Sequence, residues 1–277
     1  MQLAISHVDV FSDAPFCGNP VAVVHDADQL TEAKMQELAR WLNLSETTFL
    51  LQPTDPRADY RVRIFTPASE LAFAGHPTLG TCQAYLRRHG TGRSIPEVVQ
   101  QCQAGLIRIR VDGRRASFAA PPLHREEPDD NYLTLVRSAL GVRRSQMTAA
   151  SWLDNGSKWL GVIVDSAETV LGIRPDHTAL ARLCKVGVIG RAPSRSDVLF
   201  EVRAFAASIG VPEDPVTGSL NASFAVWMKA LGGVPDGYVV GQGTCLGRLG
   251  RVHVQHEPDT VWVGGESSLC IEGTLKL

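Results

Sequence analysis

The feature that most constrains this chain is an internal rhyme. "YRVRIF" (60–65) alternates polar and apolar residues as a strand does, and ten residues after Phe65 "GHPTLGTCQAYLRRHG" reads as a helix. Pro77 suits its first helical position, Arg87 and Arg88 its last turn, and Gly90 its C-terminal cap. In the second half "FEVRAF" (200–205) repeats the strand pattern, and thirteen residues after Phe205 "GSLNASFAVWMKALGG" is again helical. Leu220, Phe224, Trp227, Met228 and Leu231 form the wide apolar face of that second helix. Strand, glycine-bearing loop and buried helix, recurring at roughly half the chain length, predict two similar domains facing each other.

The remaining punctuation agrees with this division. "ISHVDVF" and "VAVVHD" read as early strands, and "TEAKMQELARWL" as an amphipathic helix capped by Thr31, with Leu30 and Met35 spaced as a hydrophobic staple. Pro and acidic residues interrupt the pattern in "AAPPLHREEPDDNY" (119–132). The expected domains are 1–121 and 122–267, with the last strand, 268–277, returning to the first.

Composition narrows the class of function. The chain has 277 residues, 44% hydrophobic and 20% charged, as ordinary globular proteins do. Its 27 basic and 29 acidic residues leave a net charge of −2 without a long run of either sign, so neither nucleic acid nor an anionic membrane is an expected partner. The six cysteines are scattered, with no C-x-x-C pair, and the expected location is the cytoplasm. No basic leader precedes an apolar run, and no apolar stretch is long enough to span a bilayer.

Candidate chemistry gathers at the two helix starts, Gly75-His76-Pro77 and Gly218-Ser219-Leu220. A helix N-terminus presents unpaired backbone N–H groups and partial positive charge, so two of them facing each other make a cradle for a carboxylate. Asp214, stiffened by Pro215, precedes the second start in "PEDPVTGS". Glu46 interrupts "NLSETTFLLQP" between the first helix and the β-prone run Thr47 to Leu51. A Glu, a His and an Asp around an anion cradle can move a proton on and off carbon without a metal. On residue type alone, each has a plainer role: Glu46 a turn acid, His76 a helix-cap residue and Asp214 a turn former.

"FCGNPVAVV", "NLSETTFLL", "RIFTPASELAFAGHPTLGT", "EDPVTGS" and "QGTCLGRLGRVHV" resemble, in order, the signature blocks of the phenazine biosynthesis PhzF-like isomerase family. The resemblance implies an α+β, diaminopimelate epimerase-like fold. That fold has two pseudo-symmetric domains, each a β half-barrel rolled around a central helix, with the active site in the cleft between them. It implies Glu46 as general acid/base, Asp214 and His76 as groups that hold and polarise substrate, and Asn19, Ser45, Gly75, Gly218 and Ser219 as the lining. Epimerase relatives carry a cysteine just before each helix-terminal glycine. This sequence has Ala74 and Thr217 there, which disfavours a two-thiol racemase.

The implied reaction moves a proton between carbons of a small unsaturated cyclic acid, trans-2,3-dihydro-3-hydroxyanthranilate or a relative, with no cofactor and no metal. Burial is expected to raise the pKa of Glu46. The alternatives are an amino-acid racemase or epimerase on the same fold and a binding protein without turnover. Homodimers are common in such folds, although no feature of the sequence selects one. Three further motifs carry no function. Cys17 has no recognisable partner base. "GQGTCLG" (241–247) has its third glycine one place late and no helix after it. "HVQH" (253–256) puts its histidines on opposite faces of a strand.

Overall fold

The computed structural model of the chain describes residues 1–90 and 95–277. Two compact units emerge, one of residues 1–119 and 264–277, the other of residues 120–263.

The first unit is a sheet rolled around a helix. Its strands are β1 (Gln2–Val10), β2 (Asn19–Val24), β3 (Thr47–Leu51), β4 (Tyr60–Phe65), the two-residue β5 (Glu70–Leu71), β6 (Glu97–Cys102), β7 (Gly105–Asp112) and β8 (Arg115–Ala119). Pairing runs β1–β2–β3–β4–β6–β7–β8, and the C-terminal strand (Val261–Lys276) pairs with both β8 and β1, closing a ring of eight. Closure leaves no unpaired edge in this ring. At its centre lies α2 (Gly75–His89), buried from Gly75 through Cys82. The fit is close enough that a Cβ on Gly80 would stand 2.4 Å from a Val21 methyl.

Outside the ring, α1 (Glu32–Leu42) covers β2, β3 and β4 through a cluster that includes Met35, Leu38, Phe49, Leu51 and Phe65. Thr31 caps α1 by accepting from the Lys34 amide, and Leu30 and Met35 share the cluster, as the staple spacing predicts. With α1 on one face and α2 on the other, every residue of β3 is buried. Buried apolar side chains of this kind contribute roughly 1.5–3 kcal/mol each, which anchors β3 firmly.

The second unit has β9 (His124–Glu126), α3 (Asp130–Leu140), β10 (Met147–Asp154), β11 (Lys158–Val164), α4 (Ala167–Gly172), α5 (His177–Ala181), β12 (Val186–Arg191), β13 (Phe200–Ala206), β14 (Val211–Asp214), α6 (Gly218–Leu231), β15 (Gly237–Gln242) and β16 (Gly250–His256). Here α6 is the buried helix. Leu220 lies over Gly187 of β12, where a Cβ would stand 2.4 Å from it, and Phe224 lies over Gly161 of β11, where a Cβ would press to 3.2 Å. Helices α3, α4 and α5 cover the opposite face through Val136, Leu140, Val170, Leu180 and the apolar rows of β11 to β13. Coverage on both faces explains why "WLGVIV" and "VGVIG" are almost uniformly apolar.

The rhyme extends to hydrogen-bond direction. β2 pairs parallel with β3, β3 antiparallel with β4, β4 antiparallel with the short β5 and parallel with β6. β11, β12, β13, β14 and β15 repeat these relations in the same order. The expected α+β class, a rolled sheet around a central helix in each half, is what the chain adopts.

Two local expectations need correction. Helix α2 begins at Gly75, so Pro77 is its third residue; Pro is tolerated there because the first-turn N–H groups have no partner within the helix. Leu231, expected on the apolar face of α6, is 58% exposed, because it is the last residue of the helix, where the covering strands no longer reach. No helix among the described residues is long and apolar enough to cross a membrane.

Candidate functional site

Two groups of predicted residues come together, one in each unit. In the first, three chain segments converge on the start of α2. Asp9 at the end of β1 accepts from the amides of Cys17 and Gly18, both at 2.9 Å, and so folds the loop that leads into β2. Only glycine fits at 18, since a Cβ there would lie 2.1 Å from the Val10 carbonyl oxygen. The loop delivers Asn19, fully buried, with its amide nitrogen 3.4 Å from His76 Nδ1.

From the other side, the buried β3 projects Glu46 from its leading end. One carboxylate oxygen of Glu46 lies 3.4 Å from His76 Nε2, and the Glu46 side chain is 15% exposed. Burial pushes the His76 imidazole down to about 3, against a smaller upward pull from the Pro20 backbone. The ring is therefore neutral near neutral pH, and its contact with Glu46 is not an ion pair. Nδ1 lies beside the Asn19 amide, and Nε2 faces Glu46. That nitrogen is buried and makes no hydrogen bond, the 3.4 Å separation being longer than a good one. Ser45 precedes Glu46 and is half-buried; Gly75 opens α2 beside His76 and is buried.

In the second unit, Asp214 ends β14, and Gly218 and Ser219 open α6. Thr217, between them, donates its hydroxyl to Asp214 Oδ2 at 2.6 Å. Ser219 is half-buried, and its carbonyl accepts from the Asn155 amide at 2.9 Å. Neither α2 nor α6 has a side-chain cap at its start, so their first-turn N–H groups can serve a ligand.

Sequence reading missed Asn155, Asn221 and Gln242, which organise the start of α6, Asn221 from within the helix and the other two from other elements. Asn155 had a local signal, the Asn-Gly pair of a hairpin turn between β10 and β11. Gln242 had none, because "GQG" draws attention only to its glycines. The thiols are distant in character from a racemase pair: Cys82, inside α2, is pushed up to about 12 by burial. Among the described residues, no group of three or more His, Cys, Asp or Glu side chains is placed to hold a metal ion.

Comparison with known proteins turns this geometry into an assignment. The family model described as phenazine biosynthesis-like protein matches residues 8–273. Antisense-enhancing sequence 1 of Schizosaccharomyces pombe is 37% identical over 98% of this chain and 97% of its own. Trans-2,3-dihydro-3-hydroxyanthranilate isomerase of Pseudomonas fluorescens is 33% identical over 87% of this chain and 86% of its own. The crystal structure of a PhzF-family phenazine biosynthesis protein from Enterococcus faecalis aligns with a TM-score of 0.82 at 28% identity, covering 100% of both chains. The chain belongs to the phenazine biosynthesis-like family and is an isomerase of the PhzF type.

Proposed function

We propose that this isomerase moves a proton between carbons of a small unsaturated cyclic acid of the trans-2,3-dihydro-3-hydroxyanthranilate kind, with Glu46 as the general acid/base. One observation carries the reading: a carboxylate at the end of a buried strand, 3.4 Å from a neutral, buried imidazole beside an uncapped helix start. The relative that is named for this substrate, 33% identical, supports the choice of acid.

In the proposed reaction the Glu46 carboxylate takes a proton from a carbon activated by the neighbouring double bonds. The electrons of that C–H bond enter the conjugated system, and the resulting Glu46 carboxylic acid returns the proton to a different carbon. Nothing is gained or lost, so the product is an isomer. His76, beside Glu46, and Asp214 hold and polarise the substrate. Asn19, Ser45 and Gly75 of the first unit and Gly218 and Ser219 of the second are the proposed binding residues, and N–H groups of a helix start bind the carboxylate.

The test is NMR of trans-2,3-dihydro-3-hydroxyanthranilate in deuterated water with the wild type and with Glu46→Gln. Isomerisation by the wild type that disappears in the variant, while binding survives, supports both substrate and base. A wild type that binds without converting the compound overturns the substrate assignment. Turnover of an amino acid that stops when thiols are blocked would favour a racemase instead.

A further inference from the structure

We infer that Gln242 is a positioning residue that sets the direction of a buried hydrogen-bond chain ending on Asp214, in which the Thr217 hydroxyl donates to Asp214 Oδ2. The inference rests on the reading of Asp214 as part of the substrate site. Gln242 ends β15, more than twenty residues beyond the start of α6, and is 1% exposed.

Backbone groups, whose donor and acceptor roles cannot change, set each orientation in turn. The Thr217 carbonyl can only accept, so the Asn221 atom 2.9 Å from it is the amide nitrogen. The Thr217 N–H can only donate, so the Gln242 atom 3.1 Å from it is the oxygen, which also accepts from Asn221 at 2.7 Å. The remaining Gln242 atom is therefore its nitrogen. It donates at 3.0 Å to the Asp214 carbonyl and at 3.0 Å to the Thr217 hydroxyl oxygen. The Thr217 hydroxyl, with one lone pair taken by Gln242, has its proton assigned to the 2.6 Å contact with Asp214 Oδ2.

Two consequences follow for chemistry. Thr217 stands where thiol-dependent relatives place a cysteine, but its hydroxyl proton is already committed to Asp214 and cannot serve a substrate. Asp214, held as an acceptor, favours an acid bearing an N–H or O–H donor.

Neutron diffraction from deuterium-exchanged crystals of the full chain tests the chain of bonds independently of any activity. Deuterium on Thr217 Oγ1 pointing at Asp214 Oδ2, with two deuterons on the Gln242 nitrogen facing Thr217, is the expected result. Deuterium on Asp214 Oδ2, or a reversed Gln242 amide, overturns the inference. In the activity arm, Thr217→Val should lower kcat/KM about 10- to 100-fold, the size of one hydrogen bond to a charged group, and Gln242→Glu, which removes the amide donor, should lower it as well. Thr217→Ser, which keeps the hydroxyl, should restore most of the loss. Equal losses in the Ser and Val variants, with both folded by circular dichroism, also overturn it. An inactive wild type defeats the substrate reading, and the neutron result still decides this one.

Discussion

Arg63 and Arg203 hold the same place in the two copies of the repeated strand, and each grips a Glu on the short strand that follows. Arg63 forks onto Glu70 at 2.7 and 2.6 Å, and Arg203 onto Glu213 at 2.8 and 2.8 Å. Each guanidinium also lies over an aromatic ring two residues on, at 5.1 Å from the Phe65 centroid and 4.9 Å from that of Phe205. Exposure separates them. The first pair is 28% and 24% exposed and shares Arg63 with the exposed Glu32, whereas the second is 5% and 8% exposed. Arg203 gives its Nη1 hydrogens to the carbonyls of Val170 and Ile173, in the last turn of α4 and just beyond it. The same motif is thus a partly solvated brace in one half and a sealed one in the other, because helices α3 to α5 cover the second sheet more completely than α1 covers the first.

The helix starts differ in a parallel way. The first carries the proposed base beside a buried histidine that Asn19 contacts. In the second, Thr217, Asn221 and Gln242 lock the acid in place. The largest expected effect therefore belongs to the first half. Glu46→Gln should reduce kcat/KM by about 10²- to 10⁴-fold, the usual worth of a positioned general base, with the melting temperature nearly unchanged. A loss below tenfold would move the base elsewhere and erase the functional contrast between the halves.

Stability should reverse the ranking. Glu213→Ala leaves a buried, uncompensated Arg203 and should cost about 3–5 kcal/mol in urea unfolding. The matching Glu70→Ala should cost about 1 kcal/mol or less, since water and Glu32 remain to serve Arg63. Similar costs at the two sites would show that the extra cover in the second half does not alter the pair energetics.

Between these lies a pH effect specific to the first half. His76 titrates near 6.5 when unfolded and near 3 when folded, so the unfolded chain binds the extra proton first. Its contribution is constant above about pH 6.5 and destabilises progressively as pH falls towards 3. His76→Asn should flatten that part of the stability curve, leaving the share of His25, which burial lowers to about 4. An unchanged acid slope would mean that His76 is already charged in the folded protein.

Much of this was legible from local pattern. The strand alternation of 60–65 and 200–205, the two buried helices, the Thr31 cap and the placement of Glu46 just before a strand are all short-range features that period and propensity reveal. Arg63 and Arg203 were equally visible as letters, yet their glutamates, seven and ten residues away, are partners only because a short strand folds back in register. Leu231 and Pro77 were misplaced by a turn or less, where the end of a helix depends on what covers it.

The sequence by itself determined that the chain repeats one strand-loop-helix unit, and it marked Glu46, His76 and Asp214 as the side chains able to handle a proton. Those are properties of local spacing and residue type. Tertiary structure alone decided that Asn19 from a distant loop touches His76, that burial keeps that histidine neutral, and that Gln242 governs Asp214 through Thr217. Desolvation and hydrogen-bond direction depend on atoms brought together from far along the chain, and no period in the sequence encodes them.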